Sequence, residues 1–385
     1  PDVSDDVRRK VLSAIKASNY IPNNSARDLV RTKSDAIGLI VRGVSNPFYT
    51  DIIRTIESTI TDAGFTMVMQ QIGACDDEVK CGAVMEREKR LRGIIFLGGR
   101  FDYTPADLAL LNVPFVCCSY SNRYGTLTEG EYSSVSIADG DTAQQAVEEL
   151  YRHGHRRIAA LISRPDDQSI SQLRYEGYVQ ALEGHGIPVD PRLVISAGGF
   201  GVKDAYDAVK ASLEAGTDFT ALFAIADSMA IGAMRALRDA GRRIPEDCSV
   251  IAIDGLELSA YIEPPLTTLC QPMDEMGRRS AEILLDMVQR KGSHACELLP
   301  TTLPDALRSV SSLLLTDLTA LDYDALGRTL EFLANNGAAV EAQALPGRWN
   351  AASGTYTVTD ASRAAVQTFF NVSPTEAQAS SFKEP

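Results

Sequence analysis

Apolar positions along this chain fall into two alternating kinds of run. Short, mainly apolar runs, AIGLIV (36–41), TMVMQQ (66–71), GIIFL (93–97), PFVCC (114–118), RIAALI (157–162), TALFAI (220–225) and SVIAID (249–254), predict strands of parallel sheets covered on both faces. Between them apolar residues recur at helical spacing, as in Ile52, Ile53, Ile56 and Ile60 with Gly64 as the stop, or Met276, Ile283, Leu284 and Met287. Strand and helix alternate from residue 36 to about 303, which predicts an α/β fold of doubly wound parallel sheets, and so many strands need two sheets. Ahead of the first strand, Val7, Val11 and Ile15 mark a helix of about four turns ending near Asn19, with Ser4 as N-cap and Asp5 and Asp6 in its first turn. After Pro22 a second helical signal carries Ala26, Arg27 and Leu29; it is too short to bury a face and needs a partner to fold.

Composition narrows the class. The net charge of −14 argues against a nucleic-acid-binding body, yet before residue 35 the basic Arg8, Arg9, Lys10, Lys16, Arg27, Arg31 and Lys33 outnumber Asp2, Asp5, Asp6 and Asp28. The basic footprint is local. With no apolar run of membrane-spanning length and no signal peptide at its start, the protein is expected to be soluble and cytoplasmic. Seven cysteines without a C-x-x-C, Cys117 beside Cys118, read as reduced thiols. The histidines (His153, His155, His185, His294) sit at helix ends or in a loop, and no G-x-S-x-G, phosphate loop or H-E-x-x-H occurs, so neither an enzyme, a cofactor nor a metal site is expected.

The words V-S-x-x-x-R-x-x-V-x-x-A-I (from Val3), Y-x-P-N (from Tyr20) and A-R-x-L (from Ala26) follow in order, and GHRRIAAL (154–161), MAIGAMRAL (229–237) and PPLTTL (264–269) come later. In these the chain resembles the lactose-repressor-like (LacI/GalR) family of bacterial transcription regulators over nearly all of residues 3–303. The resemblance implies a periplasmic-binding-protein-like body: two subdomains facing each other across a cleft, with three chain crossings, behind a partial helix-turn-helix head that lacks its first helices. It implies 1–34 as head and hinge helix and 35–303 as the effector-binding core. Within the core the first subdomain takes about 35–138 and 270–296, the second 139–269 and 297–303. It places Asn23, Ser25, Ala26, Arg27 and Leu29 on a hinge helix that pairs with its mate from a homodimer in the minor groove of operator DNA, Leu29 being the wedge between base steps. Family members mostly lose DNA on binding an inducer, and a minority gain it with a corepressor.

In open parallel sheets ligands sit outside the carboxyl ends of the strands. Asp254 closes SVIAID, Asp139 closes SVSIAD, and Phe48 and Tyr49 open the helix after the first strand. The resemblance carries effector contacts onto Phe48, Tyr49, Asp139, Arg174, Phe200 and Asp254. Carboxylates accept from paired hydroxyls, a guanidinium supplies fixed donors and an aromatic face covers a ring, which fits a sugar, with a purine or nucleoside as competitor. Each residue also has a plainer reading: Asp139 as a helix cap, Asp254-Gly255 as a turn, Phe200 as a loop pin, Arg174 in a salt bridge. Where the family commonly has Asn-Asp, this chain has Ala226-Asp227, implying a smaller or differently substituted effector; Asp227 reads chiefly as a helix N-cap.

The competing class is a transporter's sugar-binding protein, which shares the body but has no use for the head. Residues 304–385 lie outside the resemblance. Within them 324–334 and 361–370 read as helices and AAVEAQAL (338–345) and GTYTVT (354–359) as strands, a small appended unit or a partly disordered tail.

Overall fold

The computed structural model describes residues 4–17, 35–43, 47–73, 76–164, 168–290, 292–304 and 309–310, and three short strands at 348–350, 355–357 and 382–383. The expected alternation is present. In the first lobe, β1 (Ala36–Arg42), β2 (Thr66–Ile72), β3 (Gly93–Leu97), β4 (Phe115–Cys118) and β5 (Ser134–Ile137) join one parallel sheet. In the second lobe, β6 (Ile158–Ile162), β7 (Val194–Ser196), β8 (Ala221–Ala224), β9 (Ser249–Asp254) and β10 (Thr267–Cys270) join another, in the order β10-β9-β8-β6-β7. The strands β6, β8 and β9 are buried along their whole length, as continuous apolar runs between two helical layers must be. The spacing of Ile52, Ile56 and Ile60 puts all three on the buried face of a helix (Tyr49–Asp62), which packs against the long helix Met273–Arg290.

The chain changes lobe three times: after β5 into the helix Asp139–Arg152, after β10 into Met273–Arg290, and after the last strand β11 (Cys296–Leu299). The crossings lie side by side. Thr302 exchanges backbone hydrogen bonds with Cys270 (2.7 and 3.0 Å), and the hydroxyls of Thr142 and Thr301 are 3.4 Å apart.

Two boundaries differ from the expected ones. Cys296–Leu299 pairs with β5 in the first sheet, so the last change of lobe falls near residue 300 rather than 297. The second lobe also continues past 303: Ser309 takes the Thr267 amide on its hydroxyl at 2.7 Å, donates that hydroxyl to the Val250 carbonyl at 2.6 Å, and is followed by buried Val310. The compact unit that contains both lobes therefore reaches 310. The edge strands β7, β10 and β11 are additional to the seven runs and SVSIAD.

At the amino end α1 (Asp5–Ala17) starts behind Ser4, whose carbonyl accepts from the Arg8 amide at 3.0 Å; Val7 and Val11 are exposed. The expected hinge residues Asn23, Ser25, Ala26, Arg27 and Leu29 lie outside the described residues. In the tail, Arg348–Asn350, Thr355–Thr357 and Phe382–Lys383 form an antiparallel sheet with Trp349 opposite Tyr356 and Tyr356 opposite Phe382. Its middle strand lies in the predicted GTYTVT; the other elements predicted there lie outside the described residues. Six cysteines, Cys81, Cys117, Cys118, Cys248, Cys270 and Cys296, are unbridged. Among the described residues no helix is long and apolar enough to cross a membrane.

Candidate functional site

Where the carboxyl ends of the two sheets face each other lies a cavity of about 340 Å³. Five of the six effector residues expected from the sequence line it: Phe48, Tyr49, Arg174, Phe200 and Asp254. The sixth, Asp139, is buried and not among the lining residues; it accepts from Arg174 Nε at 2.8 Å.

Helix geometry explains this pairing. Asp139 is the first residue of its helix and Arg174 lies in the first turns of the next (Ile170–Gly184), and the two helices nearly touch where Gly177 faces the Gly140 carbonyl. A Cβ at 177 would stand 2.1 Å from that oxygen, so only glycine permits the approach that seats the guanidinium on the carboxylate. The ion pair is thus part of the site's construction. Arg174 Nη1 donates to the Ile225 carbonyl and meets Asp254 Oδ1 at 3.4 Å.

Asp254 is held as firmly. Its Oδ1 accepts from Gln271 Nε2 at 2.9 Å and its Oδ2 from the Asp227 amide at 3.3 Å. Burial pushes its carboxyl up to about 7; Arg174 opposes the rise and the charge of Asp227 adds to it. Burial also lifts Asp139 above the ordinary carboxylate range, against the pull of Arg174.

Asp227 does not cap its helix. Ala226 holds that position, and Asp227, one residue in, turns its carboxylate toward the loop after β9. Oδ1 accepts from the Thr268 hydroxyl at 2.5 Å, and Oδ2 accepts from the Gly255 and Leu256 amides (3.1 and 2.8 Å) and the Ser259 hydroxyl (2.7 Å). A local N-cap reading fails here because the donors arrive from 28 to 41 residues downstream. The effect is to brace the backbone that carries Asp254.

The first-lobe wall is of another kind. Phe48 is buried at the N-cap of the helix after β1, its ring 5.6 Å from that of Tyr49. Tyr49 brings its hydroxyl beside Gly98, where a Cβ would lie 2.6 Å away. Burial raises the Tyr49 hydroxyl well above the ordinary tyrosine range, helped by the charges of Cys118 and Asp254. Gly99, Phe101 and Arg42 complete this wall. The sequence reading missed Gly98-Gly99 and Arg42, although a doubled glycine and a charged residue at the carboxyl ends of β3 and β1 are signals of the kind that singled out Asp254. Opposite them Phe200 lies on the cavity lining with its carbonyl fixed by the Ser228 hydroxyl at 2.8 Å. Among the described residues no cluster of His, Cys, Asp and Glu has an arrangement that could hold a metal ion.

Comparison with known proteins agrees with this architecture. The family of periplasmic binding protein-like domains matches residues 147–305. The transcriptional regulator MalR of Clostridium butyricum is 38% identical over 307 residues, 79% of this chain and 90% of that protein. The structure of the transcriptional regulator CelR in complex with cellobiose superposes with a TM-score of 0.64 at 30% identity, covering 80% of this chain and 92% of the other. The lac repressor dimer bound to operator and an anti-inducer superposes with a TM-score of 0.67 at 26% identity, covering 81% and 92%.

Proposed function

The chain belongs to the LacI family of helix-turn-helix transcriptional regulators, and from that premise we propose that its cleft senses a small uncharged sugar and passes the signal to operator DNA. One observation carries the reading: Arg174, buried and oriented by Asp139 and Asp254, stands at the wall of a cavity that Phe48, Tyr49, Phe101 and Phe200 also line. A guanidinium held in place beside a carboxylate offers donors and acceptors at fixed spacing, the complement of neighbouring hydroxyls, and Phe200, Phe48 and Tyr49 offer faces for the apolar side of a ring. Asp139 acts through Arg174, which it positions. The charged residues lining the cavity balance, Arg42 and Arg174 against Asp204 and Asp254, which suits an uncharged ligand. CelR bound to cellobiose supports the sugar over a nucleoside.

The transporter reading is set aside, because MalR and CelR are transcriptional regulators that match this chain over most of its length. Enzymatic turnover is likewise no part of the proposal: Asp139 and Asp254 are committed to Arg174, and Asp227 to the loop after β9. The protein works in the cytoplasm as a homodimer, with Asn23, Ser25, Ala26, Arg27 and Leu29 on hinge helices that meet in the minor groove. Residues 1–34 serve as head and hinge, 35–310 as sensor, and the tail as a separate small unit. Because a short hinge helix is marginal alone, a tenfold difference in effector affinity between two lobe arrangements, about 1.4 kcal/mol, measurably shifts its order.

The test is fluorescence anisotropy of the full-length regulator on an operator selected by it from random DNA, titrated with neutral mono- and disaccharides and with nucleosides. A neutral saccharide is expected to move the DNA-binding midpoint at least tenfold. A nucleoside doing so in its place replaces the sugar, and no response to any of them ends the sensory reading.

A further inference from the structure

Among the described residues lining the cavity, the first lobe contributes a single charged side chain, Arg42, the last residue of β1. Behind it stands Glu78 in the first turn of the helix Glu78–Lys89, with only 1% of its side chain exposed. Its Oε1 is fixed by the backbone amide of Arg100 at 2.6 Å. Its Oε2 points to Arg42 Nε at 3.7 Å and makes no hydrogen bond among the described residues; the nearby Tyr103 hydroxyl is buried and unsatisfied as well. A carboxylate so deeply buried needs either a full set of hydrogen bonds, as Asp227 has, or a cation; Oε2 of Glu78 lacks the former, and with Oε1 tied to the backbone it faces Arg42 in a fixed direction. First-turn acids usually serve the helix dipole in water. This one is turned inward, against the cleft wall beneath Gly99, where its Oε1 would lie 2.7 Å from a Cβ.

Resting on the sensor reading above, we propose that Arg42 is the first lobe's recognition group for the effector and that Glu78 is the positioning residue that holds it. The second lobe has its own guanidinium fixed by carboxylates, so a ligand with hydroxyls on two edges is gripped by one arginine from each side. Lobe closure then depends on a directional contact from both walls, whereas an apolar lid alone would close over any ligand of suitable size.

The experiment is calorimetric titration of the full-length protein with cellobiose, ribose and adenosine, using the strongest binder for the variants. Arg42→Met is expected to weaken binding at least tenfold and Arg42→Lys by an intermediate factor, since the charge stays but the planar fork is lost. Glu78→Gln is expected to weaken it about threefold, and the double variant to bind no worse than Arg42→Met alone, because Glu78 works only through the arginine. Binding by Arg42→Met within twofold of the parent overturns the proposal, as does a Glu78→Gln penalty that persists undiminished in the Arg42→Met background. If Glu78→Gln does not fold, as judged by its unfolding midpoint, the two Arg42 variants decide. Failure of all three ligands to bind the parent removes the sensor reading, and this inference with it.

Discussion

The two walls of the cleft are built on different plans. On the second lobe nearly every polar group is anchored: Arg174 by two carboxylates and a carbonyl, Asp254 by Gln271 and the Asp227 amide, and Asp227 by four donors of its own. On the first lobe the wall is aromatic rings and glycines with one arginine among them. The contrast teaches where binding energy is prepared in advance. A ligand meeting the second lobe finds donors and acceptors already oriented and loses little in ordering them, while the first lobe supplies a face that needs only to approach. On the proposed reading the second wall, with more fixed groups, reads most of the ligand's hydroxyls, and the first, with Arg42 as its one charged group, sets whether the cleft shuts.

The comparison can be broken most severely at Arg174. Arg174→Met leaves Asp139 and Asp254 buried without their cation and is expected to destabilise the protein by about 3–5 kcal/mol, measured by urea unfolding, with loss of effector binding. A variant of parental stability would show that the second wall is not the pre-built one.

A subtler test uses acidity. Asp254, pushed up to about 7, is protonated over a range where an ordinary aspartate is charged. Its folded-state value lies above the unfolded one, so its contribution to stability is greatest in acid and declines as pH rises from about 4 to about 7. Effector binding runs the other way, because only the carboxylate accepts from two hydroxyls. Affinity is expected to fall about tenfold per pH unit below about 7, as read by calorimetry at several pH values, and to flatten in Asp254→Asn. The smallest effect belongs to the opposite wall. Tyr49→Phe removes a hydroxyl but keeps the ring, and a loss of no more than about threefold in affinity is expected, about 0.7 kcal/mol; a tenfold loss would give the first wall a second directional contact beside Arg42.

Much of the layout was legible in the residues. Strands such as GIIFL and SVIAID announce themselves because burial on both faces leaves no polar position between their ends, and Phe48, Tyr49 and Asp254 follow from standing at strand ends. Arg174 was legible from its motif and its neighbour Gly177, but its two carboxylate partners come from 35 residues before it and 80 after, and no local rule places them. The edge strands hid for the opposite reason: β7 has three residues, and β11 alternates with solvent on one side, so neither carries a run. Glu78 hid because in sequence it resembles any acid in a first helical turn; only the fold turns it toward Arg42.

The three crossings between the lobes carry a last consequence. A body tethered at one point can swivel in any direction, whereas one tied by three adjacent threads, stitched together at Cys270, Thr302, Thr142 and Thr301, keeps essentially one axis of bending. Whatever arrives in the cleft can therefore report to the amino-terminal segment in a single mechanical coordinate, more or less bent. A regulator wired this way answers a question of degree, and a substitution that stiffens those threads would mute the answer without touching a single atom of the ligand.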